Sequence, residues 1–410
     1  MIFVRRLMVA VFCIVLSLSL AACSKGKEGA GANEKEAAAK PEPTPTVTAS
    51  AGATDAMNGG APSEPSGAVP AKEIAWKFKS DGSINGAPRA IDGVVYVGSY
   101  DKHEYAVSAE TGEMIWKFQA EGAIRSAAAA DGKNVYFVDC FGNLYAVDRA
   151  TGKQTWHFKA EGDTLVQVDE WDYYDSSPVL EDNVLYFGSD NRFIYAIDAG
   201  TGKPIWSYEM GGPTHSTPTL KDGIVFISDW EGRIYALDGK TGKLKWKQVG
   251  MGSIQGSPAA DESQVYFGTR LGTSFYALNA LTGEQSWKWI SSMGSWFVST
   301  PVSHEGIVYS GSSDEYLVYA WDAATGKKRW TFNTGSNVNT SPKLAGGILY
   351  VTTAYAYEEK HDDHLYAIDP ATGTPIWQVK VEQPLYASPE IADGAVYFAS
   401  RDGYLYSVKA

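Results

Sequence analysis

The sequence predicts an all-β fold, an eight-bladed β-propeller of four-stranded antiparallel blades, on three observations. Eight tryptophans recur at a spacing of about 40 residues, the size of one propeller blade: Trp76, Trp116, Trp156, Trp206, Trp246, Trp287, Trp330 and Trp377. Between them lie short apolar or alternating runs such as VVYVGS and IYALD, bounded by Gly and Asp, which read as strands joined by tight turns. The chain enters the array with a lone outer-strand segment, IAWKF, and ends with VYFASRDGYLYSVKA, which lacks one. Joining the N-terminal outer strand to the C-terminal blade closes the ring and leaves no free edge.

Taken in chain order, residues 1–22 read as a lipoprotein signal peptide. Arg5 and Arg6 form its positive region, and Leu7 to Leu20 is an apolar stretch too short to span a bilayer comfortably. It ends in LAAC, which places lipidation on Cys23. Residues 23–72 lack apolar periodicity and are rich in Ala, Gly, Pro, Ser and Thr; they read as a disordered tether. Residues 73–410 form the propeller. Cys13 leaves with the signal and Cys23 carries lipid, so Cys140 remains alone and no disulfide is expected within the mature chain. A net charge of −13 argues against a nucleic-acid partner.

Each repeat carries a turn of the form seen in RATGKQTW, with Thr-Gly four residues before Trp. The Gly supplies the positive φ of a tight hairpin. Asp148, Asp198, Asp238, Asp322 and Asp369 precede it and are placed to accept bonds from turn amides; Ser108 and Asn279 stand in elsewhere. The Trp falls on the outermost strand, where a large ring packs between blades. This pattern, A-x-D-x-x-T-G-x-x-x-W, resembles the repeats of the pyrroloquinoline quinone (PQQ) propeller superfamily, which includes quinoprotein alcohol dehydrogenases and BamB lipoproteins. The resemblance covers about residues 73–410 and implies fold more strongly than function.

The spacings locate the working face. From Trp to the Pro position is 12 residues in six repeats, 14 before Pro301 and 22 before Pro178. From the Pro position to the next Tyr or Phe is always eight, and from the Tyr of the YA dipeptide to Trp always 11. The interval between those segments is nine in most repeats, but 10 at Tyr276 and Tyr319 and 16 at Tyr366. With strands A to D running from the axis outward, every insertion falls in a BC or DA loop, and these share one face. Small residues crowd the start of the inner strand, from Gly86 and Ser126 round to Ala387. The position before each is diverse: Asn85, Arg125, Asp175, His215, Gln255, Val298, Asn339 and Tyr386. The BC loops begin with a second ring that includes Tyr100, Cys140, Asp190, Trp230, Arg270 and Arg401. Trp171, Trp230 and Trp296 fall outside the structural register and add aromatic anchors to the same loops. EEKHDDH, residues 358–364, offers His361 and His364 as weak metal candidates, with no diagnostic spacing.

These features predict a non-catalytic, monomeric scaffold, anchored to the cell envelope by Cys23 and offering its BC/DA face to an envelope protein or polymer. The resemblance to BamB implies a role in outer-membrane protein assembly, on an outer membrane facing the periplasm if the cell has two membranes, otherwise on the outer face of the cell membrane. No cofactor is expected. The alternatives are a PQQ-dependent dehydrogenase and a small-molecule or sugar sensor. For the quinone, Arg125, Arg270 and Arg401 would supply cations, Trp230 a platform and Asp175 a base. Against it, quinoprotein alcohol dehydrogenases characteristically carry an adjacent-cysteine disulfide at the cofactor, which a single thiol cannot form.

Overall fold

A computed structural model describes residues 69–162, 175–355 and 363–410, and every regular element among them is a strand. Eight four-stranded antiparallel sheets follow one another around the ring. Blade 1 is Arg89–Ile91, Val94–Gly98, His103–Ser108 and Met114–Gln119, strands A to D. Blades 2 to 7 repeat this order. In blade 8, Trp76–Lys79 supplies strand D beside Tyr404–Lys409, so the chain ends seal the ring as expected. Strands B and C are buried almost throughout, because neighbouring blades cover both of their faces, whereas the outer strands alternate between exposed positions and half-buried or buried ones.

One cross-strand ladder recurs in every sheet. The B-strand Tyr or Phe, the C-strand Ala and the D-strand Trp stand in register, as in Tyr96, Ala106 and Trp116. The small Ala lets the two rings meet across it, at centroid distances of 5.7–6.1 Å in all eight blades; Ser407 takes the Ala place in blade 8. Seven indole N–H groups donate to a carbonyl in the CD turn of the next blade, at 2.8–3.0 Å. In four blades the B-strand tyrosine donates to that same carbonyl at 3.1–3.4 Å: Tyr136 to Ala199, Tyr186 to Gly239, Tyr266 to Ala323 and Tyr309 to Pro370.

The Thr-Gly turn receives this indole. Its seven glycines have φ of 69–75°, and a Cβ on any of them would lie 2.6–2.9 Å from the tryptophan of the preceding blade. The glycine is therefore needed twice, for the left-handed backbone and for the space. The aspartates act as expected: Asp148, Asp198, Asp238 and Asp322 each accept the N–H and hydroxyl of the turn threonine. Blade 8 has no CD turn, and Lys72 takes its place. Its ammonium lies 4.5 Å from the centroid of the Trp377 ring and donates to the carbonyls of Lys409 and Ala410, while its backbone N–H bonds Gln378.

The two faces of the disc are separately knitted. In seven blades the first residue after strand C bonds back to the AB turn of the same blade, from Ala109 N–H to Gly93 O through Ala410 N–H to Gly394 O. On the other face, the start of seven BC loops bonds the crossover that enters the same blade, from Tyr100 N–H to Ser83 O through Arg401 N–H to Pro384 O. BC and DA loops thus lie together on one face; the two longest insertions, at 163–174 and 356–362, lie outside the described residues.

One side chain breaks the repeat. Glu104 is fully buried and, among the described residues, neither carboxylate oxygen has a hydrogen-bond partner. The equivalent residues in blades 2 to 8, from Leu144 to Leu405, are all apolar. Burial raises the Glu104 pKa well above the ordinary 4.5.

Two stability measurements check these assignments. Gly242→Ala adds a Cβ 2.6 Å from Trp206 at φ +69°; left-handed strain and overpacking together lower stability by about 2–4 kcal/mol in denaturant titration. Glu104→Leu stabilises the protein at neutral pH by more than about 1 kcal/mol. Because the folded carboxyl binds its proton more tightly than the unfolded one, wild-type stability is lost as pH rises above about 4.5 towards the folded pKa. The advantage of the leucine variant therefore shrinks as pH is lowered towards 4.5, and a pH-independent difference contradicts the assignment.

Candidate functional site

Alternation along strand A directs every second residue to the axis. Three tiers result, and members of each line an axial cavity of about 290 Å³. The upper tier is the diverse ring: Asn85, Arg125, Asp175, His215, Gln255, Val298 and Asn339 line the cavity. The middle tier lies immediately before the Pro position, and the lower tier includes Thr219, Val302 and Lys343. The close packing expected at the axis is present: a Cβ on Gly86 would meet Arg125 O at 2.9 Å, and one on Gly256 would meet Val298 O at 2.7 Å.

The upper tier is bound to the ring of BC-loop residues and to itself. Arg125 grips Asp175 in a fork, with Nε 2.9 Å from Oδ2 and a second, short bond from its terminal nitrogen to Oδ1. Burial pushes the Asp175 carboxyl up in pKa, against the opposing pull of Arg125. Asn85 donates to the Tyr100 hydroxyl at 3.4 Å. His215 is held between two partners: Trp230 Nε1 lies 3.1 Å from its Nδ1, and its Nε2 lies 2.7 Å from Asp190 Oδ1. An indole N–H only donates, so Nδ1 carries no proton and Nε2–H donates to Asp190. Arg270 lies between two indoles, 5.6 Å from the Trp230 ring centroid and 4.3 Å from that of Trp296. Arg401 lies 5.8 Å from the Tyr386 ring centroid.

Burial sorts the residues that the sequence nominates. Asn85, Arg125, His215, Gln255, Trp230, Arg270 and Tyr386 are buried. Asp175, Asn339 and Trp296 are half-buried, while Tyr100 and Arg401 are exposed. Trp171, His361 and Cys23 lie outside the described residues. His364 is buried, donates its backbone N–H to Thr353 Oγ1 at 2.8 Å and stacks on Tyr366 at 5.1 Å. Among the described residues no group of three or more His, Cys, Asp or Glu is placed to hold a metal. Burial pushes the Cys140 thiol up to about 11, which leaves little thiolate for nucleophilic chemistry.

Two features escape the sequence reading. Exposed apolar side chains stand on the variable face: Leu271 is 72% exposed, Met293 75% and Phe141 39%. Leu271 and Met293 belong to loops joined by the Ser291 N–H to Thr273 O bond. The middle tier is also a hydrogen-bonded ring. Backbone N–H groups of Ala127, Ser177, Thr217, Ser257, Thr300 and Ser341 donate to the hydroxyls of Ser177, Thr217, Ser257, Thr300, Ser341 and Ser388, each in the next blade. The one available sequence signal is the hydroxyl residue before the Pro position in six repeats, and only the structure shows what it bonds.

Comparison with known proteins places the chain as follows. The family model described as "outer membrane protein assembly factor BamB" matches residues 69–191, 141–293, 272–361 and 355–410. No curated protein matches the chain by sequence. Among solved structures, BamB from Moraxella catarrhalis is 18% identical, with a TM-score of 0.66, covering 83% of this chain and all of that one. Quinohemoprotein alcohol dehydrogenase from Comamonas testosteroni is 16% identical, with a TM-score of 0.65, covering 82% of this chain and 76% of its own. Saccharomyces cerevisiae Sqt1 is 12% identical, with a TM-score of 0.67, covering 83% of this chain and 99% of its own. At these identities the structural likenesses show the shared fold.

The Arg125–Asp175 fork is testable by a double-mutant cycle. Arg125→Ala strands the Asp175 carboxyl, whose side chain is only 10% exposed, and costs about 3–5 kcal/mol. The double variant with Asp175→Ala costs less than the sum of the single changes, with a coupling of about 0.5–3 kcal/mol. Additive losses would exclude a direct pair.

Proposed function

The chain belongs to the family of the outer membrane protein assembly factor BamB, and from that premise we propose that it is a non-catalytic scaffold of the cell envelope. It is anchored by lipid on Cys23 and recognises an envelope protein through its BC/DA face, in BamB-like assembly of outer-membrane proteins. One contrast carries this reading: at the axial mouth Arg125 is paired with Asp175 and His215 with Trp230 and Asp190, whereas the loops around them expose apolar side chains. Exposed Leu271 and Met293, beside an arginine stacked on indoles, have the composition of an interface hot spot. The signal-like N-terminus and the Ala/Gly/Pro/Ser-rich segment 23–72 support the anchor and the reach in this reading, on an outer membrane facing the periplasm if the cell has two membranes and otherwise on the outer face of the cell membrane.

The dehydrogenase alternative fits this geometry poorly. A tricarboxylate quinone needs open cations and an open aromatic platform. Arg125 is already neutralised by Asp175, and Trp230 is 7% exposed, bonded to His215 and flanked by Arg270. No step through that cofactor follows from these residues.

The test is photo-crosslinking in intact cells from a probe in the BC loop at 269–273. A specific envelope protein is captured by the wild type and lost in Leu271→Asp/Met293→Asp, with thermal stability unchanged because both side chains are exposed. Cys23→Ser abolishes palmitate labelling and moves the protein to the soluble fraction. Undiminished capture by the double variant would overturn the face assignment, and unaltered labelling would overturn the anchor.

A further inference from the structure

The middle tier of the channel holds donors with nothing to donate to. Ser177, Thr217, Ser257, Thr300, Ser341 and Ser388 each accept a backbone N–H from the preceding blade at 2.8–3.3 Å. That bond engages an oxygen lone pair and leaves each O–H hydrogen unused. Among the described residues, none of the six donates to a protein acceptor, and all six line the one axial cavity.

Below them Lys343 lines the same cavity, half-buried. Among the described residues its ammonium enters no ion pair or hydrogen bond. Glu390 is the carboxylate that acts on it, and Glu390 is itself engaged by Arg89 at 3.3 Å. Burial lowers the Lys343 pKa, as it does for a cation without an adequate counter-charge. Above the tier, Arg125 and Asp175 cancel. The cavity wall therefore combines hydroxyls whose hydrogens no described protein acceptor takes with an ammonium whose nearest counter-charge, Glu390, is shared with Arg89.

We propose that the axial cavity binds a small tetrahedral oxyanion of the phosphate or sulfate type, held by the Lys343 ammonium and the hydroxyl tier. An oxyanion accepts several short O–H and N–H bonds at once, which is what this wall supplies. A cavity of about 290 Å³ holds such an ion with several waters, each occupying about 30 Å³ in the liquid. The site lies on the axis and is separate from the apolar side chains of the partner face, so its failure leaves the scaffold reading standing.

Titration of the full chain in detergent with inorganic phosphate, followed by isothermal calorimetry and ³¹P line broadening, tests the proposal. Saturable millimolar or tighter binding is expected. Lys343→Gln weakens it about tenfold or more, the scale of a lost charge-assisted bond, and Lys343→Arg retains it. Thr300→Val, which removes one hydroxyl at nearly constant volume, weakens it severalfold. If Lys343→Gln fails to fold by circular dichroism, Lys343→Arg and Thr300→Val decide: retention in the first with weakening in the second supports the site. Absence of saturable binding, or an affinity unchanged by Thr300→Val and, where it folds, by Lys343→Gln, overturns it.

Discussion

The disc depends on one contact between neighbours, the indole of an outer strand seated on the Thr-Gly turn of the next blade. The contact fixes residue types on three strands at once. The D strand must supply Trp, the C strand a side chain small enough for that Trp to reach across, and the B strand an aromatic ring beneath it. The receiving turn must supply a glycine, since any Cβ there would collide with the ring. Because each contact sets the position of one blade on the next, repeating it unchanged sets a constant angle, and eight equal steps close the ring. Trp377 is the exception that shows the requirement. Where the chain ends leave it no turn to rest on, a cation and a short parallel backbone bridge from the N-terminal segment take over.

That lock divides the molecule into a mechanical side that repeats unchanged from blade to blade and a permissive one. The CD turns carry it and the AB turns are bonded to them, so an insertion in either would displace a tryptophan seat. BC loops and DA crossovers are bonded to one another but carry no seat, and there the chain lengthens freely. Specificity belongs on that face for the same reason that sameness belongs on the other. Within the face, the axial polar residues are drawn into pairs because a narrow, low-dielectric mouth penalises unpartnered charge. The outer loops, open to water, keep their side chains available.

What was legible in the sequence follows from distance along the chain. The Thr-Gly turn, its Asp cap and the Trp that follows are local, so pattern and turn chemistry were enough to read them. The closing strand could be read because a missing element at one end matched a surplus at the other. The diverse ring could be located, since strand periodicity places it. Its pairing could not: Arg125 and Asp175 are 50 residues apart, and nothing local says that their charges are spent on each other. Likewise Trp230 could be counted as an out-of-register aromatic, but its donation to His215 and its burial under Arg270 are tertiary facts. Leu271 and Met293 carry no motif, and only the solvent around them sets them apart from core residues.

The departures from the repeat gather at two neighbouring seams. The hydroxyl ring is interrupted at Ala87 and Ala127, so the inner bonds from blade 8 to blade 1 and from blade 1 to blade 2 are missing. Glu104, the buried carboxyl without a partner, stands on blade 1, on the face it turns towards blade 2. Each seam also carries an ionic tie of its own. Arg89 and Glu390 join the inner strands of blades 1 and 8 at 3.3 Å. Arg149 occupies a turn position that is Ala, Gly or Pro in the other turns. From blade 2 it reaches the Tyr96 hydroxyl, the Ile91 carbonyl and the Asp92 carboxylate of blade 1. A closed ring has no end at which a weak joint can fray harmlessly, since opening one seam unseats the tryptophan that seam carries. The sequence has therefore lost the repeated bond at these joints only where a particular ion pair or arginine bridges the same two blades.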